Sequence, residues 1–255
     1  METKIIFEDH DLLVLDKPAG MIVNRSDTTK GETTLQDWVE TKLKISTKGG
    51  SASGGKNEKL KIDVESDFES RAGIVHRLDK ETSGILLIAN NPESFTNLQA
   101  QFKERKVQKT YVALAHGKIE PEEGIIDVPV GRLPWNRKRF GVVAEGRESI
   151  TRYRVITNYK LLITNSQEIL TLVELYPKTG RTHQIRVHLQ YIHHPIFADP
   201  LYAGRKTSIR DRKLLPRVFL HAAKISFSHP RNKELMSFES PLPKDLSQFL
   251  ENLKP

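Results

Sequence analysis

Short apolar runs bounded by charged or turn-forming residues recur along this chain, and most have the length of strands. "KIIFE" (4–8) and "DLLVLD" (11–16) predict two short strands, and "KPAGMIV" predicts a Pro/Gly turn running into another extended piece. In "TTLQDWVETKLKI" the apolar Leu35, Trp38, Val39 and Leu43 fall at i, i+3, i+4 and i+8. With Thr33 or Thr34 as N-cap, that spacing predicts an amphipathic helix. "NPESFTNLQAQFKE" repeats the pattern with Phe95, Leu98 and Phe102, and Pro92 stands near its start. "GIV" (73–75) and "ILLIA" (85–89) read as buried strands, "KTYVALAHG" as a central one, and "ITRYRVIT", "KLLIT" and "EILTLVELY" as further strands. The last two are joined by the polar "NSQE". "RTHQIRVHLQYI" and "DLSQFLENL" predict helices.

Residues 46–68, "STKGGSASGGKNEKLKIDVESDF", are Gly/Ser/Lys-rich and aperiodic, and predict a flexible insertion too polar to order itself. Many strands with few helices between them predict an α+β fold on a large, mostly antiparallel sheet. The 255 residues suffice for one domain with a sizeable core, and 1–255 is expected to be a single catalytic domain.

Composition narrows the partner. Forty Lys+Arg against 32 Asp+Glu leave a net charge of +8, which favours a polyanion, nucleic acid first. The charge is clustered with aromatics in "GRLPWNRKRF" (131–140), which holds Arg137, Lys138 and Arg139 beside Trp135 and Phe140. "RKTSIRDRKLLPR" (205–217) and "FKERKVQK" (102–109, ending at Lys109) add to it. Basic side chains follow phosphates and exposed aromatics stack on bases, so these runs predict an RNA-binding groove. No apolar run approaches the ~20 residues of a spanning helix, and the N-terminus has no basic leader followed by an apolar block. Cysteine is absent, which excludes disulfides and thiolate metal sites and suits the cytoplasm.

Two polar segments carry candidate chemistry. In "HRLDKETSG" (76–84), Asp79 lies beside Arg77 and Lys80 in a charged loop between apolar runs. An isolated loop aspartate commonly caps its own backbone; a long charged loop between buried strands points instead to a reactive carboxylate. In "PKTGRTHQIRVHL" (177–189), Arg181, Thr182 and His183 open a helix on which Arg186 shares a face with His183. An arginine within reach of Asp79 would keep that carboxyl ionised. His183, His188, His193, His194 and Asp199 lack the HExxH spacing, and no Walker loop, GxGxxG or GxSxG is present. Neither a metal nor a cofactor is expected.

These segments together resemble one family. "HRLDKETSGILLIA" is similar to the signature of the RluA-type pseudouridine synthases, and "DLLVLDKPAGM", "KTYVALAHG", "GRTHQIRVHL", "HPIFADPLY" and "LHAAKISFSHP" follow in that family's order. The resemblance implies a pseudouridine synthase catalytic fold, with a long bent antiparallel sheet and an RNA cleft across its middle. It implies that Asp79 is the catalytic aspartate, that Tyr111 lies against the target base and that Arg186 pairs with the aspartate. Arg77 would help extrude the nucleotide and Leu220 would line the uracil pocket. Relatives with an extra N-terminal RNA-binding domain differ from this chain, whose catalytic pattern starts at once.

The implied reaction breaks the bond from N1 of uracil to ribose C1′, turns the base and rejoins it through C5. Nothing enters or leaves, so no cofactor is needed. One carboxylate beside C1′ suffices, because a delocalised uracil anion leaves without the second acid that glycoside hydrolysis requires. The target base must be flipped out of its stack to reach it. The expected partner is rRNA or tRNA, with no membrane and no metal, and the chain acting as a monomer. Two rivals share parts of the pattern: a non-catalytic RNA-binding scaffold, and a metal-dependent nucleic-acid hydrolase using His183 and Asp199.

Overall fold

"DLLVLD" is apolar on both alternating faces, and the computed structural model shows why: in β2 (Leu12–Lys17), Leu12 to Leu15 expose no surface. The structure describes residues 3–25, 31–44, 56–163 and 166–254, which fall into two compact units. β2 belongs to the first (Met1–Lys80, Gly84–Val107, Ser226–Phe238). It is antiparallel to both β1 (Lys4–Glu8) and β3 (Ser83–Ala89), with Leu15 opposite Leu86. Neighbours on both edges satisfy its backbone, which lets so apolar a strand lie inside.

Helix α1 (Leu35–Leu43) begins at Thr34 as expected, through a capping box. The Thr34 hydroxyl accepts from the Asp37 N–H, and the Asp37 carboxylate accepts from the Thr34 N–H at 2.7 Å. Helix α3 (Pro92–Lys103) is capped by Asn91 and buries Phe95 and Leu98. Three expectations fail in this unit. The stretch 46–68 is helical over its second half, in α2 (Lys56–Arg71), whose Phe68 packs edge-on against Phe95 at 5.8 Å; residues 45–55 lie outside the described residues. "KPAGMIV" forms a turn without a strand, because the Lys17 ammonium folds back onto the carbonyls of Pro18 and Met21. "GIV" is likewise no strand: Gly73 stands at φ +70°, and only Ile74 bridges to Ile88.

The second unit (Glu81–Ser83, Gln108–Ile225, Glu239–Pro255) is built on β4 (Gln108–His116), β5 (Glu123–Asp127), β8 (Ile150–Ile163), β9 (Ser166–Pro177) and β10 (Leu220–Ser228). Their order is β10-β4-β9-β8-β5, and the pairs β4/β9, β9/β8 and β8/β5 are antiparallel. β8 is one long strand where two were expected, with a bulge between Val155 and Thr157 absorbing the break in alternation. β6 (Val130–Leu133) and β7 (Asn136–Val142) form a separate hairpin that carries the basic run 131–140 and exposes Trp135 at its turn. Helices α4 (Gln184–Tyr191), α5 (Arg205–Asp211) and α6 (Lys244–Glu251) complete the unit. Its core gathers Leu114, Val173, Leu175, Leu189, Phe197, Phe219 and Phe249. β10 continues into the first unit, where its last residues pair with β11 (Leu235–Glu239). The architecture is α+β with a large sheet, and no described helix is long and apolar enough to cross a membrane.

Candidate active site

His76 to Thr82 form an irregular loop that leads into β3 and is anchored on both sides of its aspartate. His76 stacks on Phe102 at 4.8 Å, and its Nε2 accepts the Leu87 N–H at 2.9 Å. Nε2 therefore carries no proton there, and the ring is in the Nδ1–H form when neutral. Leu78 is buried. The carbonyl of Lys80 accepts from Gly20 N–H at 2.8 Å and from Lys17 Nζ at 3.2 Å. Lys17 is fully buried, and its ammonium also donates to Pro18 O (2.9 Å) and Met21 O (3.0 Å). Asp79 sits between buried Leu78 and anchored Lys80 and is partly exposed; Arg77 is exposed.

The next three residues belong to the second unit, and Glu81 and Ser83 are fixed by different partners. The Glu81 carboxylate accepts both terminal nitrogens of Arg212 (2.8 and 3.0 Å) and the Val218 N–H (3.0 Å). Burial pushes its pKa up, but these bonds outweigh burial and hold it below the ordinary range. Ser83 Oγ lies 2.9 Å from His221 Nδ1 and accepts from Arg217 at 3.1 Å. His221 Nε2 faces the Ser240 carbonyl and must donate to it, so Ser83 donates to Nδ1. The pair has the look of a nucleophile and its base, but both residues are buried and their bonds hold the loop.

Arg186 projects from α4 and is almost wholly buried. Its Nε donates to Asp199 Oδ2 at 2.6 Å and its Nη2 to Oδ1 at 2.9 Å. Asp199 Oδ1 also accepts the N–H groups of Leu201 (2.9 Å) and Tyr202 (3.2 Å). The guanidinium of Arg186 lies over the Tyr202 ring at 5.1 Å, as that of Arg139 does at 5.3 Å. The Tyr202 hydroxyl accepts the Phe140 N–H (3.1 Å) and lies 2.9 Å from His183 Nδ1. Burial raises the Tyr202 pKa, so its hydroxyl keeps its proton at neutral pH. His183 itself caps α4 at φ +56°, a left-handed conformation uncommon for a residue with a side chain.

Gln184 shapes the loop before α4. Its Oε1 accepts from the Thr179 hydroxyl (2.7 Å) and Arg181 N–H (3.0 Å), and its Nε2 donates to Ile150 O (3.1 Å). Arg181 Nε reaches Glu148 O at 3.2 Å, and Thr182 is partly exposed. Tyr111 lies on β4 opposite Leu175 and is partly exposed. Lys109, two residues earlier on the same face, is largely buried, with its Nζ 3.4 Å from Thr179 O. Burial alone drops its pKa to about 8. Leu220 is buried at the start of β10. Arg137 and Lys138 lie on β7 with side chains outside the described residues.

The second unit thus brings Arg139, His183 and Arg186 together around Tyr202, while Asp79 and Arg77 belong to the first. Tyr202 closes the block "HPIFADPLY" but was not singled out, since no periodicity marks its tyrosine. Asp199 entered only as a metal ligand, and the structure gives it a different role, because both its oxygens are occupied by Arg186. Among the described residues, the group placed to hold a cation is Asp9, Asp11 and His229. There Arg231 already donates to Asp11 at 2.8 Å, and His229 Nε2 lies 2.9 Å from Asp9.

Comparison with known proteins gives the family. A family model described as RNA pseudouridylate synthase matches residues 11–191, a span that includes Asp79, Tyr111 and Arg186. Ribosomal large subunit pseudouridine synthase D of Nitrosomonas europaea is 38% identical over 255 residues, covering 98% of this chain and 65% of that protein. An RNA pseudouridine synthase of Bacillus subtilis is 35% identical, over 100% of this chain and 74% of its own length. The chain thus spans about two thirds to three quarters of these relatives. The solved structure of human RNA Pseudouridylate Synthase Domain Containing 1 shares the fold, with a TM-score of 0.70 and 24% identity over 100% of this chain and 89% of that one. The chain belongs to the RNA pseudouridylate synthase family.

Proposed function

We propose that this protein isomerises uridine to pseudouridine in large-subunit ribosomal RNA, with Asp79 as the residue acting at C1′. The observation that carries the reading is the loop 76–80. His76, Leu78 and the Lys80 carbonyl are each fixed, so the backbone that carries the partly exposed Asp79 is held on both sides. Curated relatives 34–38% identical are named as large-subunit rRNA synthases, which supports rRNA ahead of tRNA and the enzyme ahead of a silent scaffold.

In this reading Tyr111 stacks on the flipped uracil, Arg186 provides positive charge beside the reacting carboxylate, and Leu220 lines the base pocket. Arg77 fills or braces the vacated stack. Phosphates are taken by Lys109, Arg137, Lys138, Arg139, Arg181, Thr182 and His183. The chain acts as one catalytic domain and a monomer, in the cytoplasm, with no metal or cofactor.

The test uses rRNA transcript tritiated at uracil C5, because that hydrogen is lost to water when C5 becomes the attachment point. Wild type should release tritium in the presence of chelator. Asp79→Asn should release none while binding the transcript with nearly unchanged affinity. Wild-type turnover by the variant would refute the assignment of Asp79.

A further inference from the structure

Beside Tyr202, wholly within the second unit, lies a cleft of about 640 Å³, lined by Arg139, Arg205, Arg212, Leu201, Ile209 and Tyr202 among others. We propose that this cleft is a subsite for one further nucleotide of the RNA strand, its phosphodiester on Arg139 and Arg205 and its sugar or base on Leu201 and Ile209. The inference rests on the RNA-modifying reading above and adds a binding position to it.

The first argument is the distribution of arginine partners. Arg186, Arg210, Arg212 and Arg217 each place two nitrogens on a carboxylate: Asp199, Glu168, Glu81 and Asp245. Among the described residues, Arg139 and Arg205 have no carboxylate partner, and these are the two whose charge remains for a ligand of the cleft. A pair of guanidinium forks with no internal anion suits a phosphate, which accepts two parallel N–H bonds from each.

The second argument is an unsatisfied donor. The Nε of Arg139 is buried and has no hydrogen-bond partner, in a protein where nearly every other described buried side-chain polar atom has one. Its guanidinium is held over the Tyr202 ring at 5.3 Å, so it is oriented before any ligand arrives. With Nε enclosed, the part of this oriented, partly exposed cation that lines the cleft is a preorganised anion contact.

The third is the shape of the wall. Ile209 is more than half exposed and Leu201 partly so, next to the two cations. Apolar surface beside two guanidiniums of one cleft matches a nucleotide, which offers a flat face and a diester, better than it matches an inorganic anion. The volume is of the size that takes one such group.

The experiment compares wild type with Arg139→Gln/Arg205→Gln, and with Lys160→Gln/Lys244→Gln, which removes the same charge at residues that do not line the cleft. Affinity for unmodified large-subunit rRNA transcript is measured by filter binding across salt, and tritium release gives KM and kcat. The cleft variant should lose about tenfold in affinity and show KM raised about tenfold with kcat within twofold, and its slope of log affinity on log salt should flatten by about 0.7–0.9, one phosphate's share. The control should change affinity less than threefold. Arg205→Gln alone, at an exposed position, should show an intermediate loss. Equal losses in cleft and control variants would overturn the subsite in favour of general charge, and a kcat collapse at unchanged KM would overturn it in favour of a catalytic role. Uridine 5′-monophosphate is the second probe: binding that the cleft variant abolishes while its RNA affinity stays intact would assign the cleft to free nucleotide and overturn the proposal. If wild type binds transcript but releases no tritium, the catalytic reading fails and the affinity arm still decides the cleft. If tritium is released but the cleft variant binds as wild type, the cleft proposal fails alone.

Discussion

Lys109 should make the protein less stable than it would be without a charge there. It lies two residues before Tyr111 on β4, its Nζ faces the Thr179 carbonyl at 3.4 Å, and burial lowers its pKa from 10.5 to about 8. At about 1.4 kcal/mol per pH unit, that gap sets an upper bound of about 3 kcal/mol on the cost of holding the ammonium inside at neutral pH. Lys109→Met, similar in length and uncharged, should therefore gain up to that amount at pH 7.5. For a chain of this size the gain raises Tm by roughly 6–12 °C. The sign reverses the familiar carboxylate case. Below pH 8 both folded and unfolded lysine are protonated and the full cost is present. Between pH 8 and 10.5 the unfolded chain binds more protons than the folded one, so wild-type stability rises with pH relative to the variant. Urea unfolding followed by circular dichroism at pH 7.5, 9 and 10.3 should show the gap between the two proteins closing, at constant m-value. A gap independent of pH, or a variant less stable at pH 7.5, would refute the claim that Lys109 is held charged against its surroundings. The same variant should bind transcript more weakly, since a cation kept inside at such cost has a use.

Three further outcomes follow from packing and charge. Asp199→Ala leaves the buried Arg186 guanidinium without its carboxylate and should cost about 3–5 kcal/mol, seen as a Tm drop of roughly 6–20 °C by scanning calorimetry. Gly73→Ala places a Cβ 2.1 Å from the Ala89 carbonyl at φ +70°; the backbone must shift, and denaturant unfolding should show a loss of about 2–3 kcal/mol. Asp11 is pushed up by burial, yet bonds from Asn91, His10, Arg231 and Ser94 bring it down to about 2. Its stabilisation is complete above the unfolded value near 3.8 and disappears as pH falls toward 2, so urea unfolding across that window should show wild type losing stability more steeply than Asp11→Asn.

What the sequence disclosed, and what it did not, divides along physical lines. Helix α1 was legible because Thr34 and Asp37 cap it locally, and β2 and β3 because their alternating positions are apolar on both sides. Helix α2 was not, since "KNEKLKIDVESDFESR" is mostly charged and its visible tertiary anchor, Phe68, gives no period. α5 escaped for a similar reason: "RKTSIRD" is basic, with only Ile209 as a large apolar residue. In the site, Asp79 and Arg186 could be singled out because unusual polar residues stand in apolar surroundings. Tyr202 could not, because its importance comes from the hairpin β6–β7 and α4 meeting it in space. A long-range meeting leaves no spacing to read.

The buried ammonium of Lys17 has a consequence for how the loop responds to its medium. Several folds close a loop over a bound potassium or sodium ion ringed by carbonyl oxygens, and their geometry then follows the ionic composition. Here the ringed cation is covalently attached, with the carbonyls of Pro18, Met21 and Lys80 around it, and it has no binding equilibrium to lose. Replacing potassium by choline should leave the Asp79 loop in place. Because Lys17 exposes no surface, acylating reagents reach it only when the loop opens. The rate at which this one lysine is acetylated, read by mass spectrometry, therefore measures how often the aspartate is released from its setting.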